Sequence, residues 1–350
     1  VFGAVHPNHY RLRIRGGTGR QLSLQALSIG GGMLEVMDID GLALNCAGDY
    51  VELLLYLDDE ADEERIRAEV SALQAPERYQ RSKASGRLLC FSFSEGPDDS
   101  LLRYLDAHPG IESHRLLHPV VPVLSRHDQA VPFQSAEQML EFNRGQELAL
   151  WELAVAYESA RGGISGAEVL DRTRELLHIM EASIREGLAG TEYTDRILPC
   201  QSTGFLQSQA EGRLIPGDTI NRVIAFITAI MEVKSSMGLI VAAPTAGSCG
   251  AMPGSVLAVA ESLSASEEEK VQALLAAGII GVFVATHATF AAEVGGCMAE
   301  CGSGAGMAAA AMVGLTSGPL EQQLAAASLA LQNSFGMTCD PVANRVEAPC

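Results

Sequence analysis

The hydrophobic pattern at the start of the chain has a period of two. Apolar and polar residues alternate over 9–14, 22–29 and 34–39, with glycine-rich turns between the runs. Such alternation predicts half-buried strands, because successive side chains of a strand point to opposite faces of the sheet. Residues 1–45 therefore contain a predicted small β-meander. The triple glycine at 30–32 favours a tight turn over a ligand loop.

The segment 46–121 predicts strands and helices in the order βαββαβ. In chain order these patterns cover residues 50–57, 60–73, 77–83, 87–94, 98–107 and 111–121. That order is typical of a ferredoxin-like sandwich, the architecture of ACT-like regulatory domains that bind amino acids. The analogy concerns the fold and carries no function by itself.

After a polar, proline-bearing linker at 122–135, helical spacing and alanine-rich runs dominate. The predicted helices cover residues 136–161, 166–188, 218–242, 266–291, 304–315 and 320–335. We therefore predict an α+β protein whose residues 136–350 form an all-α domain. The apolar run 273–292 is long enough to span a bilayer. It contains Thr286, His287 and Thr289, and no second span accompanies it, which favours a buried central helix and no membrane.

Composition narrows the class of protein. The 350 residues include 35 Gly but only 1 Trp, so the core must pack mostly small aliphatic side chains. Acidic residues outnumber basic ones by 43 to 24 and no basic run occurs, which argues against nucleic acid as a partner. Eight scattered cysteines do not form a secreted disulfide framework, and no signal-peptide pattern is present. We expect a reduced, cytoplasmic compartment.

Three stretches interrupt the helical pattern with Gly, Pro and Cys: 243–254, 295–302 and 338–350. Breaks between buried helices are expected to line a site. The first lacks the lysine of a P-loop and the spacing of a dinucleotide-binding loop. It is compatible with a tight turn, or with backbone N–H groups that hold a carboxylate before a helix starting near Ser255.

The cysteines of the other two stretches are candidate metal ligands. Cys297, Cys339 and Cys350 each lie beside or close to Gly or Pro. Thiolates at such positions suit an iron–sulfur cluster or zinc. Buried free thiols in a small-residue core are also common, so spacing alone leaves all three interpretations open.

Several motifs follow one another in a characteristic order. They are HPN at 6–8 with SIGGG at 28–32, EVKSSMG at 232–238, PTAGS at 244–248 with PG at 253–254, GGCMAE at 295–300, and CDPVA at 339–343 with PC at 349–350. This set resembles the iron–sulfur-dependent L-serine dehydratases, and the similarity runs through nearly the whole chain. The part before about residue 125 is similar to a regulatory or assembly module of that family.

The resemblance implies a [4Fe–4S] cluster held by Cys297, Cys339 and Cys350, with no pyridoxal phosphate; Cys249 and Cys301 are not required. One iron without a protein thiolate would act as a Lewis acid on the hydroxyl of L-serine. β-Elimination would then give pyruvate and ammonia. The implied partners are a small amino-acid substrate and either a second copy of the chain or a second polypeptide.

Candidate catalytic and binding residues follow from the same motifs. Lys234 stands where the family has Asn, and could bind the substrate carboxylate or act as a base. His287 lies in a stretch whose sequence differs from that of the family. It could act as a base, or it could be a core histidine with its hydrogen bonds satisfied. Glu300 could serve the substrate amine or be a surface carboxylate. The substrate-binding candidates are Thr245, Ala246, Gly247 and Ser248.

Two departures from the family leave other functions open. The family's His-bearing segment upstream and its tail after the last cysteine are not in this chain, which predicts a longer or two-part enzyme. One alternative is a non-catalytic scaffold or regulatory protein with a structural zinc–thiolate site. Another is the same elimination from a different β-substituted amino acid.

Overall fold

The computed structural model describes residues 9–336 except for 18, 20, 31–32, 49, 82–86, 119–129, 195 and 291. The chain divides into two compact units, one of residues 1–29 and 33–127 and one of residues 30–32 and 128–350. Eight strands and two helices lie in the described part of the first unit, and helices alone make up the regular elements described in the second. The predicted α+β class is therefore confirmed.

The first sheet contains four strands in the order β1-β2-β3-β4. They are β1 (His9–Arg15), β2 (Gln21–Gly30), β3 (Met33–Ile39) and β4 (Leu42–Cys46). Strand β4 extends the predicted three-stranded meander. Asp40 and Gly41 connect it to β3 with φ angles of 54° and 83°. Positive φ at both central residues is the geometry of the two-residue hairpin turn that suits the twist of paired strands.

The second sheet has the order β6-β7-β5-β8. Its elements are β5 (Val51–Leu57), α1 (Glu63–Leu73), β6 (Arg78–Arg81), β7 (Leu88–Phe93), α2 (Asp99–Ala107) and β8 (Ile111–Leu117). Neighbouring strands are antiparallel. One face, with Leu53, Leu55 and Phe91, packs against Ile66 and Leu101 of the two helices.

The opposite face of this sheet is also buried. Leu54, Leu88 and Cys90 pack with Leu44 and Cys46 of β4. Strands β5 and β7 are therefore covered on both faces, which explains why their sequences, VELLLYL and LLCFSF, are almost continuously apolar. The polar residues that do occur in them, notably Glu52, are forced into the interior.

The described part of the second unit contains ten helices and one π-helical turn. They are α3 (Ala136–Phe142), α4 (Leu150–Gly162), α5 (Gly166–Ala189), α6 (Ser202–Ala210), α7 (Asp218–Ser235), α8 (Ala251–Ser262), α9 (Glu267–His287), α10 (Ala292–Gly295), the π-helix Met298–Gly302, α11 (Ser303–Leu315) and α12 (Leu320–Asn333). Helix α9 packs against α4, α5, α8 and α11.

Small residues allow these helices to approach closely. A Cβ at Gly187 of α5 would lie 2.3 Å from the carbonyl oxygen of Ala229 in α7, and a Cβ at Gly254 of α8 would lie 2.7 Å from the backbone nitrogen of Ile227. Both separations are far below van der Waals contact. The alanine- and glycine-rich composition is thus used at the points where helix α7 meets its neighbours.

Several predicted boundaries are wrong. The predicted helix 136–161 is two helices, because Gly145 and Glu147 between them have φ angles of 78° and 56°. The helices predicted to reach 242 and 291 end at Ser235 and His287, and α6 lies in a region with no predicted helix. Most of the predicted break at 295–302 is helical.

Helix α9 is the one helix in the described part that is long and apolar enough to cross a membrane. Of the apolar 18-residue stretch of this helix, 50% is buried inside the structure. One such helix is weak support for a membrane span, because the core helix of a globular unit has the same length and composition. After its exposed first turn, α9 is buried at Val271 and from Ala273 to Ala277.

Candidate functional site

Hydrogen bonds between Thr245 and Ser248 stabilise the loop between α7 and α8. The backbone N–H of Ser248 donates to Thr245 Oγ1 over 3.2 Å, and the two side-chain hydroxyls lie 3.1 Å apart. Both residues are buried, whereas Ala246 and Gly247 are half-buried. Helix α8 follows at Ala251, four residues earlier than Ser255, so the predicted loop 245–254 is shorter than expected.

Glu300 lies against this loop from the π-helical turn. Thr245 Oγ1 donates a hydrogen bond to Glu300 Oε1 over 2.7 Å. A Cβ at Gly247 would lie 2.7 Å from both carboxylate oxygens, so only glycine lets the loop and the carboxylate meet at this separation. Glu300 is half-buried and contacts the predicted substrate loop. π-Helical turns are frequently found at functional sites.

Two cysteines and a lysine lie close to this contact. Burial raises the pKa of the Cys249 thiol to about 12, while the charge of Lys234 lowers it and that of Glu300 raises it. Lys234 and Glu300 therefore act on the same buried sulfur from α7 and from the π-helix. Cys297 precedes the π-helix, three residues before Glu300, and is 1% exposed.

The remaining predicted residues are placed less completely. His287 is the last residue of α9 and is exposed. Cys339 and Cys350 lie outside the described residues, so the convergence of the three cysteines stays a prediction. Cys301 is a buried free thiol within the π-helix.

A second carboxylate, Glu232, was not among the predicted site residues although it lies in the quoted motif 232–238. It is 7% exposed, and its carboxylate caps the N-terminus of α6. Its Oε2 accepts a hydrogen bond from Ser202 Oγ over 2.6 Å, and its Oε1 accepts from the backbone N–H groups of Gln201 and Ser202. Burying a carboxylate against the N-terminal N–H groups of a helix satisfies donors that have no partner within that helix.

Cys200 lies beside the same carboxylate, with its Sγ 3.4 Å from Glu232 Oε2. Burial opposes ionisation of this thiol, but hydrogen bonds with Thr203 and with the backbone of Thr191 outweigh it and lower the pKa of Cys200. The spacing of Cys200 and Glu232 in sequence gave no signal for this contact.

A small polar cavity of about 10 Å³ lies next to Glu232 and is lined by Tyr193, Arg196, Gln201 and Ser235, among others. Arg196 Nε and Ser235 Oγ are buried and have no hydrogen-bond partner within the part of the chain that the structure describes. A buried donor without a partner costs about 1–3 kcal/mol. The cavity has room for one water-sized group that could accept these hydrogen bonds.

Comparison with known proteins agrees with the sequence resemblance. Residues 145–350 match the family model described as serine dehydratase alpha chain. The chain is 33% identical to the probable L-serine dehydratase alpha chain of Bacillus subtilis (strain 168) over 62% of this chain and 73% of that protein. The alpha chain of L-serine dehydratase from Peptoniphilus asaccharolyticus is 33% identical over 62% of this chain and 74% of that protein. L-serine dehydratase 1 of Escherichia coli (strain K12) is 31% identical over 63% of this chain and 49% of its own length.

These matches identify the class of the protein as a lyase. The chain belongs to the serine dehydratase alpha chain family, which confirms the predicted family. The matched residues begin at 145, so they comprise most of the second unit and none of the first.

Proposed function

We propose that the chain catalyses β-elimination of water from L-serine, which yields pyruvate and ammonia. The observation that carries this proposal is the contact of Glu300 with Thr245 and Gly247, one turn after the buried Cys297, in a chain of the serine dehydratase family. The contact joins two of the motifs on which the resemblance rests.

The proposed cofactor is a [4Fe–4S] cluster, and the reaction would not use pyridoxal phosphate. Cys297 fits the role of one ligand, because it is a buried thiol at the start of the π-helix. Cys339 and Cys350 would be the other two. When bound, the cluster would supply Lewis acidity at the serine hydroxyl.

The residues of the loop and the π-helix have separate proposed roles. The substrate carboxylate would bind at Thr245, Ala246, Gly247 and Ser248. Glu300 would hold the substrate ammonium, since an oriented carboxylate is a strong charge-assisted acceptor. Its hydrogen bond from Thr245 fixes one oxygen and so orients the other.

Lys234 or His287 would remove the α-proton of serine. Lys234 is half-buried at the end of α7 and acts electrostatically on the same thiol as Glu300, which supports its placement near the substrate. His287 is exposed at the end of α9, ten residues before Cys297. A base must lie within hydrogen-bond reach of the proton that it removes.

The wider organisation of the enzyme is part of the proposal. Residues 46–121 would be an ACT-like regulatory module after the meander 1–45, joined through 122–135 to a catalytic domain at 136–350. The strand order β6-β7-β5-β8 with two helices supports this comparison. We propose a cytoplasmic enzyme that forms a homodimer or assembles with a second polypeptide, without nucleic acid or membrane partners.

An anaerobic reconstitution tests the function. The full chain is loaded with iron and sulfide, its absorption spectrum is recorded, and pyruvate and ammonia are measured with L-serine and with other β-substituted amino acids. Equal amounts of pyruvate and ammonia from L-serine, together with broad iron–sulfur absorption, are expected. A colourless protein with stoichiometric zinc would contradict the proposal, as would turnover of another amino acid but not of L-serine.

The same assay tests which residue acts as the catalytic base. Replacing the correct residue, as Lys234→Ala or His287→Ala, should lower kcat by about 10²–10⁴ while the iron–sulfur spectrum is unchanged. If both variants turn over serine at the rate of the unmodified chain, neither residue is the base.

A further inference from the structure

Two thiols and a carboxylate meet in the interior of the first unit. Cys46 ends β4, Glu52 lies on β5 and Cys90 lies on β7; they are 6%, 1% and 1% exposed. One ligand atom from each of the three lies within 4.8 Å of the other two. The Cys90 thiol donates to Glu52 Oε2 over 3.2 Å. These residues are far along the chain from the candidate active site and belong to a different unit.

We propose that Cys46, Glu52 and Cys90 bind one zinc ion. Thiolate sulfur and carboxylate oxygen are ligands that zinc accepts, at about 2.3 Å and 2.0–2.2 Å. Two sulfurs and one oxygen at those distances from one tetrahedral ion lie about 3.5–3.8 Å from each other. The Cys90 Sγ–Glu52 Oε2 separation is 3.2 Å and the other two are no more than 4.8 Å, so small side-chain movements suffice. One position of the ion remains for a solvent ligand.

The surroundings orient the carboxylate as a metal site requires. Arg78 donates to Glu52 Oε1 over 3.0 Å, and Ser92 Oγ donates to Glu52 Oε2 over 2.7 Å. Arg78 Nε also donates to Ser92 Oγ, which ties the two partners together. Second-layer hydrogen bonds of this kind hold metal ligands in place and are found at most protein metal sites.

The charges of the group balance when zinc is bound. Two thiolates and the Glu52 carboxylate carry three negative charges, and the zinc ion with the Arg78 guanidinium carries three positive charges. Binding releases one proton from each thiol to solvent. Without a cation, hydrogen bonding with Cys46, burial and the charge of Glu52 all raise the pKa of the Cys90 thiol. A divalent ion reverses that preference because it binds the thiolate.

The site would act on the fold of the first unit. Its ligands come from β4 of the first sheet and from β5 and β7 of the second, so one ion would join the two sheets at their shared core. Leu44, Leu54 and Leu88 surround it. Loss of the ion would then loosen β4, which the described residues join to the second sheet by apolar contacts and by the hydrogen bonds of Asn45 with Arg78 and Gln80.

Cobalt substitution tests the proposal on the full chain. Metal-free, reduced protein is titrated anaerobically with Co²⁺, and the thiolate-to-cobalt absorption and the number of bound ions are recorded. Cys46→Ser and Cys90→Ser should each bind one ion fewer than the unmodified chain, and zinc should displace that ion. Cys301→Ser, a buried cysteine of the second unit, is the matched control and should bind as many ions as the unmodified chain.

Ser92→Ala separates a metal site from a merely buried polar cluster. It removes no proposed ligand but should weaken Co²⁺ binding by about 10–100-fold at this site. Amide hydrogen exchange of the unmodified chain needs no variant: zinc should slow exchange in the peptides of β4, β5 and β7. Equal stoichiometry in all chains, a Cys46–Cys90 disulfide in the reduced preparation, or no protection by zinc would each overturn the proposal.

Discussion

The two units hold their buried and half-buried carboxylates in different ways. In the first, Glu52 pairs with the guanidinium of Arg78 and accepts from Ser92 and Cys90 inside the shared core of two sheets. In the second, Glu232 is held by the backbone and hydroxyl of the first residues of α6, and Glu300 by the hydroxyl of Thr245. The Glu52 carboxylate compensates the charge of Arg78. Glu232 fixes the start of α6, and Glu300 fixes the loop at Thr245.

Under the proposed function, this difference separates a structural role of Glu52 from a role of Glu300 in catalysis. A buried ion pair gives little net stability, but removing one partner leaves an uncompensated charge. A carboxylate that fixes a loop through hydroxyl and N–H donors instead sets the position of neighbouring groups, and catalysis depends on such positions. We therefore expect variants in the first unit to change folding, and variants around Glu300 to change turnover.

The largest effect is expected at Arg78. Arg78→Ala should destabilise the metal-free first unit by about 3–5 kcal/mol, because Glu52 would remain buried without its cation. Denaturant unfolding followed by hydrogen exchange in the β5 and β7 peptides measures this. Arg87→Ala is the control, since its partner Asp59 is exposed and such pairs contribute little. Equal stability of the two variants would remove the contrast between the units.

Gly247 tests the second unit. Gly247→Ala places a methyl group 2.7 Å from the Glu300 oxygens and must move the carboxylate or the loop. We expect kcat for serine to fall about 100-fold, the size of effect that a displacement of about 1 Å produces. Gly278→Ala in α9 is the matched control, because nothing lies within 4 Å of its added Cβ. Unchanged turnover in Gly247→Ala would show that the contact with Glu300 is not used.

The interior of the second unit also has a pH signature. The thiol of Cys249 ionises near 9.0 when unfolded, and burial raises its pKa to about 12 in the folded chain. Folding therefore favours the protonated form. The contribution of this thiol is fully present below pH 9 and is lost as the pH rises toward 12.

Unfolding free energies of the unmodified chain and of Cys249→Ala measure this loss. Their difference should change by about 1.4 kcal/mol per pH unit above pH 9. Parallel stability curves between pH 8 and 11 would mean that the thiol is not buried as described.

Local pattern predicted those parts of the fold whose determinants are local. The strands at 9–14 and 22–29 and the helix at 98–107 follow from their periodicity and, for α2, from the cap that Asp98 supplies. Strand β4 also had a local signal, the Asp40-Gly41 pair, which strongly favours a two-residue hairpin. The Gly145 break was likewise visible as a glycine inside an otherwise helical pattern.

Other features had no local signal. Gln201, the N-cap residue of α6, makes no side-chain cap; the N–H groups at this end are capped by Glu232, about thirty residues away in sequence. The π-helical turn at Met298–Gly302 replaces a predicted break, and Gly296 before it has a φ of 67°. For the site, the sequence motifs predicted Glu300 and the loop at Thr245 as site residues. The contact between them is seen only in the folded chain.

The central claim is that the chemistry belongs to the second unit and depends on one particular thiol. Cys297 and Cys301 are both buried cysteines, one at the start and one near the end of the same π-helical turn. Iron content and pyruvate formation from L-serine are measured for Cys297→Ser and Cys301→Ser after identical anaerobic reconstitution. We expect Cys297→Ser to lose the cluster and turnover, and Cys301→Ser to keep both. A Cys297→Ser chain that retains iron and produces pyruvate at the unmodified rate would contradict the account.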